Sequence, residues 1–167
     1  QYEARSHTLE QAFAGYKQKH EALVNDLLRH VDTDSGEEVA THSVSSMPEA
    51  LQQEAQEMAT QLDARRLYND PRKVGALLAL VSAQWTRSKL QSNQAFQEES
   101  KELLWMPHST QLLGTFVLLG LGANEDLRNH LVQCGTGEGK SVCLGLTATM
   151  FALLGYDVAT ISYNAVL

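Results

Sequence analysis

Cysteine is nearly absent from this chain, with Cys134 and Cys143 the only two among 167 residues. That scarcity argues against a disulfide framework and fits free thiols in a reducing compartment. Basic residues are also in short supply, 13 Lys and Arg against 20 Asp and Glu, for a formal net charge of −7. A nucleic-acid partner is therefore not expected, because affinity for a phosphate backbone rests on a basic surface. No apolar run reaches the length needed to cross a bilayer, and no charged-then-apolar leader opens the chain. The six histidines, at positions 7, 20, 30, 42, 108 and 130, show no ligand spacing, and no Cys/His pair has the form of a zinc site. No Ser/His/Asp set sits in the context of a nucleophile elbow. Internal repeats and low-complexity segments are missing as well.

What is present has the composition of an ordinary soluble domain, 43% hydrophobic and 7% aromatic, enough for one core. The first half reads as helices. Thr8-Leu9-Glu10-Gln11 has capping-box form, and Phe13, Tyr16, Leu23, Val24, Leu27, Leu28 and Val31 recur at near-helical spacing, which predicts a helix over about 9–31. Residues 32–46 are polar and aperiodic and are expected to be a flexible linker. Ser46-Met47-Pro48-Glu49 then supplies a cap, a first-turn proline and a capping-box glutamate, opening a helix to about Leu67. Asp70-Pro71 repeats the arrangement and opens another through about Leu90, with Val74, Leu77, Leu78, Val81 and Trp85 on one core-packing face. A boundary is expected near 92–107, separating a helical N-terminal region, 1–92, from a second part, 93–167. The chain begins Gln1-Tyr2-Glu3 without methionine and ends Ala165-Val166-Leu167 within what reads as a continuing element, so a piece of a larger protein is expected.

The densest chemistry lies in Cys134-Gly135-Thr136-Gly137-Glu138-Gly139-Lys140-Ser141. Leu131 and Val132 lead into it as a predicted strand, and Val142 to Leu154 follow with helical patterning, which is the strand-to-helix turn a phosphate loop requires. Glycines let successive N–H groups face phosphate oxygens, and a helix N-terminus adds a favourable dipole. Lys140 is placed to reach the β- and γ-phosphates, and Ser141 to put its hydroxyl on a bridging Mg²⁺. The strict Walker A pattern asks for glycine where Cys134 stands, so the fit is to the relaxed helicase-type loop, x-x-x-G-x-G-K-[ST]. Cys134 reads as a replaced small residue before the loop rather than as a catalytic thiol. Glu138 is unusual, since a carboxylate beside a phosphate site costs electrostatic energy unless it faces a cation.

Thr136-Gly137-Glu138-Gly139-Lys140-Ser141 resembles the phosphate loop of the SecA preprotein-translocase motor family, whose members are ATPases of DEAD-like helicase fold. Met106-Pro107-His108-Ser109-Thr110-Gln111-Leu112-Leu113-Gly114 is similar to that family's Met-Arg-His-Phe-Asp-Val-Gln-Leu segment. It is one residue shorter between His108 and Gln111 and lacks the aromatic. Leu153-Leu154-Gly155-Tyr156-Asp157-Val158-Ala159-Thr160-Ile161 is similar to the family's segment that ends the helix after the loop and starts the next strand.

The resemblance implies an α/β fold, in which the helical N-terminal region is followed by the start of a P-loop, RecA-like parallel-sheet nucleotide-binding domain, truncated after its second strand. It implies ATP with Mg²⁺ as ligands, bound by Met106, His108, Gln111, Gly135, Thr136, Gly137, Glu138, Gly139, Lys140 and Ser141, with Ser141 on the metal. Gln111 would read the adenine, because an amide donates to N7 and accepts from the N6 amine. The implied task is coupling an ATP cycle to polypeptide movement, with a translocated polypeptide and a membrane translocon as partners, in the cytoplasm or peripheral to a membrane. The motifs that complete hydrolysis in the family are absent from these residues, so binding with little turnover is expected. Two other readings remain open: a nucleotide-dependent scaffold or signalling switch, and a DEAD-type nucleic-acid helicase, against which the acidic charge counts.

Overall fold

A computed structural model of the chain describes residues 2–32, 41–92, 106–122, 130–135 and 137–161. The described residues form five α-helices, α1 Tyr2–Asp32, α2 Thr41–Thr60, α3 Pro71–Ser92, α4 Ser109–Leu118 and α5 Lys140–Leu153, with a short 3-10 turn at Leu67–Asn69.

The closest pairing is α1 along α3. A Cβ on Gly15 would lie 2.1 Å from the Arg72 carbonyl oxygen, and one on Gly75 would lie 1.9 Å from that of Ala12. Only residues without a side chain let the two backbones come this near, and the buried Ala12, Tyr16, Val74, Leu77, Leu78 and Val81 close around the crossing. From there a single apolar cluster reaches Ala55 and Ala59 of α2, Leu112 and Phe116 of α4, and Leu146 and Met150 of α5. Phe13 meets Phe116 edge-on, ring centroids 5.1 Å apart, a contact worth about 0.5–1.5 kcal/mol beyond area burial. Lys19 pairs with Glu54 between α1 and α2. Beyond α5, the Tyr156 hydroxyl donates to the Ala64 carbonyl at 3.1 Å, tying the far end of that helix to the α2–α3 connection.

The α/β expectation is overturned. Among the described residues there is no strand and no sheet, and the RecA-like parallel architecture is replaced by helices packed on helices. The predicted strand at Leu131 and Val132 and the one starting near Val158 are unpaired, irregular segments, and Leu131 and Ile161 are 99% and 93% exposed. Apolar runs favour a strand only where a neighbour completes the hydrogen-bond ladder and a layer covers each face. Here the buried apolar surface is supplied by helix faces instead.

Helix limits shift too. The first helix starts at Tyr2, and α2 starts at Thr41, so residues 41–46 of the expected linker are helical and Pro48 lies inside the helix rather than in its first turn. Residues 33–40 of that linker and 93–105 of the expected boundary lie outside the described residues. Instead of continuing to Leu67, α2 stops at Thr60, where Leu62 N–H turns back to the Ala59 carbonyl at 3.1 Å and Asp63 Oδ1 accepts the Arg65 N–H at 3.0 Å. The helix expected at Pro71 begins there. No described helix is long and apolar enough to cross a membrane.

Candidate functional site

The N-termini of α4 and α5 are linked through Gln111, and local sequence sets both. His108 is the N-cap of α4, with φ −71° and ψ 155°, an extended residue whose carbonyl accepts the N–H groups of Gln111 at 2.9 Å and Leu112 at 3.1 Å. Gln111 occupies the third helical position, where a long polar side chain reaches back over the first turn. Its Oε1 accepts the His108 N–H at 3.0 Å, and its Nε2 donates to the Glu138 carbonyl at 3.0 Å, 27 residues further along the chain. These partners fix the amide orientation, since an N–H must meet the oxygen and a carbonyl must meet the nitrogen. Gln111 is only 8% exposed.

The second N-terminus is that of α5. Gly137, at φ +87°, and Gly139, at φ +71°, adopt left-handed conformations that a Cβ would strain, and Gly139 caps the helix. A Cβ on Gly139 would also come 2.2 Å from Gln111 Nε2, so this glycine both turns the chain and leaves room for the amide. The Glu138 N–H approaches the Gly135 carbonyl at 3.4 Å, closing the turn. Lys140 and Ser141 are exposed at the first two positions of α5. Lys140 Nζ folds back to donate to the carbonyls of Gly135 at 2.8 Å and Cys134 at 3.4 Å. Thr115 Oγ1 donates to the Gln111 carbonyl at 2.9 Å within α4 and lies 3.7 Å from the buried Cys143 Sγ of α5, a polar contact between the two helices.

The structure thus brings Gln111, Glu138 and Gly139 together, and Lys140 with Gly135. Met106 and His108 are exposed just before α4, linked to the loop through the His108–Gln111 bond. Thr136 lies outside the described residues. Sequence reading placed Gln111 at the base and missed its tie to the loop. The available signal was its position three residues after an N-cap, the capping-box register. The support from Thr115 and Cys143 carried no sequence signal, because nothing local relates two helices.

Chemically, the amide of Gln111 keeps one N–H and one acceptor lone pair beyond its two bonds, which is what the N7/N6 edge of adenine takes. Among the described residues no three His, Cys, Asp or Glu side chains gather as a metal cage. An exposed hydroxyl at Ser141 suits Mg²⁺ carried mainly by phosphates and water, the usual manner of this ion. No curated protein matches the chain, and neither does any solved structure. A family model does: the SecA DEAD-like domain matches residues 10–167, nearly the whole chain, and the protein belongs to that family.

Proposed function

We propose that the chain binds ATP between the N-termini of α4 and α5. Gly135, Gly137, Glu138 and Gly139 supply backbone N–H groups around the phosphates, and the α5 dipole favours their charge. Lys140 exchanges the Gly135 and Cys134 carbonyls for β- and γ-phosphate oxygens, a stronger, charge-assisted pairing. The Ser141 hydroxyl is the protein ligand of Mg²⁺, which neutralises phosphate charge. Gln111 takes the adenine edge, with Met106 and His108 beside base or ribose. Membership of the SecA DEAD-like family supports a wider role, in which nucleotide binding is coupled to movement of a polypeptide at a membrane translocon, in the cytoplasm or peripheral to the membrane.

The observation that supports this reading is the 3.0 Å bond from Gln111 Nε2 to the Glu138 carbonyl, which joins Gln111 to the glycine-rich loop. Isothermal titration with MgATP tests it. Lys140→Ala should lose binding by more than tenfold with unchanged circular dichroism, because an exposed side chain serves the ligand and not the core. Equal affinity in wild type and variant would remove the loop from nucleotide binding.

A further inference from the structure

Gln111 has a second task that base recognition does not require. Its side chain is buried, its Oε1 is committed to α4 through the His108 N–H, and its Nε2 is committed to the loop through the Glu138 carbonyl. The Gln111 backbone is held in turn by Thr115 Oγ1 on its carbonyl. The side chain is therefore a rigid strut running from the first turn of α4 to the residue before the α5 cap. Glycine at 139 preserves it, since any Cβ there would displace the amide. Among the described residues, the strut shares this segment with the Lys140 Nζ bonds to the Gly135 and Cys134 carbonyls and with the Val142 and Cys143 N–H groups on the Gly139 carbonyl, none of which touches the Glu138 carbonyl. Gly137 and Gly139 carry no side chains, a Cβ at Gly137 would meet nothing within 4 Å, and the loop's own closure at Glu138 is a long 3.4 Å contact.

We propose that Gln111 is a positioning residue for the phosphate loop, holding the Glu138 carbonyl so that the loop's N–H groups stay aimed at polyphosphate even when the ligand has no base. The inference rests on the loop being a phosphate site. It differs from base reading in what it requires: a ligand without adenine must feel the loss of Gln111. It also specifies the chemistry of the strut, a hydrogen-bond donor facing a carbonyl oxygen.

The donor requirement gives the test. Gln111→Glu keeps the acceptor for the His108 N–H but, when ionised, has no proton for the Glu138 carbonyl. Gln111→Met removes both bonds without adding charge. Tripolyphosphate binding is measured by titration, and amide hydrogen exchange over residues 137–141 is followed in the same proteins without ligand, each as a ratio to wild type at the same pH. Both variants should bind tripolyphosphate at least fivefold more weakly at pH 8 and exchange faster at 137–141. Lowering the pH to protonate the new carboxyl should restore Gln111→Glu toward wild type, since a neutral carboxyl donates, and should not restore Gln111→Met. His108, Glu138 and Lys140 are the titratable groups around this amide, and the wild-type ratio carries their contribution at every pH. Unchanged exchange and unchanged tripolyphosphate affinity in both variants would overturn the strut. So would equal pH responses of the Glu and Met variants. If wild type ignores tripolyphosphate, the nucleotide reading fails, while faster exchange that is reversed by acid only in Gln111→Glu still establishes the strut.

Discussion

The α1–α3 crossing and the loop before α5 both depend on glycine, and for opposite reasons. At the crossing, Gly15 and Gly75 sit in helices where an added Cβ would strike a carbonyl oxygen of the facing helix at 2.1 and 1.9 Å. In the loop, Gly137 has open space around it and is needed for a φ of +87°. One pair removes side chains so that backbones can touch, and the other so that a backbone can turn. The first region lies in the buried apolar cluster, and the second is exposed and held by hydrogen bonds. Substitutions in the two regions should accordingly separate stability from binding.

The comparison is tested hardest in the apolar cluster that the crossing opens into, at Phe116 of α4, fully buried and edge-on to Phe13 of α1. Phe116→Ala should cost about 3–5 kcal/mol, read as a fall in the urea midpoint, because truncating a buried aromatic leaves a cavity that the surroundings fill only in part. Gly75→Ala follows at about 1–3 kcal/mol, the scale of overpacking, since its neighbour is backbone and cannot rotate away. Gly137→Ala should cost about 1 kcal/mol of left-handed strain yet weaken MgATP more than either core change does in the folded fraction. A loss of stability at Gly137 equal to that at Phe116 would erase the distinction between the regions. Tyr156→Phe is smaller, about 0.5–1.5 kcal/mol for one hydrogen bond to Ala64, measured by thermal melting.

The smallest effect is one of pH. Burial against Tyr16, whose ring stacks on it at 5.1 Å, lowers the His20 pKa below its ordinary value of 6.5, with Glu21 opposing more weakly. The unfolded chain then takes up the proton first, so stability falls as the pH drops below about 6.5 and is fully present above it. His20→Asn should flatten that slope between pH 7 and 5. Burial also raises the Tyr16 phenol above 10.0, with a smaller opposing effect from Ser82, so its contribution is lost only as the pH rises past 10.

Much of the helical framework was legible in the sequence. Asp70-Pro71 announced α3, and the spacing of Val74, Leu77, Leu78 and Val81 announced its buried face, because both signals are local, while Trp85 of the same expected set is only half-buried. The helix α5 was legible for the same reason, although it starts at Lys140, two residues before the expected Val142. The expected strands did not form, because Leu131-Val132 and Val158 show only a preference for extension, whereas a sheet needs distant partners that no window of sequence contains. The start of α2 was misjudged because serines at 43, 45 and 46 suggested a linker and Pro48 suggested a first turn, yet the helix passes through both. In the candidate site, sequence could single out residues one by one, but the 27-residue tie between Gln111 and Glu138 belongs to packing of α4 against α5.

The most direct test of nucleotide binding at these two helix N-termini is an amide correlation NMR spectrum titrated with MgATP. Movement should concentrate at the backbone amides of Gly135, Gly137, Gly139, Lys140 and Ser141 and at the side-chain amide of Gln111, with α1 and α3 unmoved. Shifts confined to α1–α3, or a spectrum unchanged by millimolar MgATP, would contradict it.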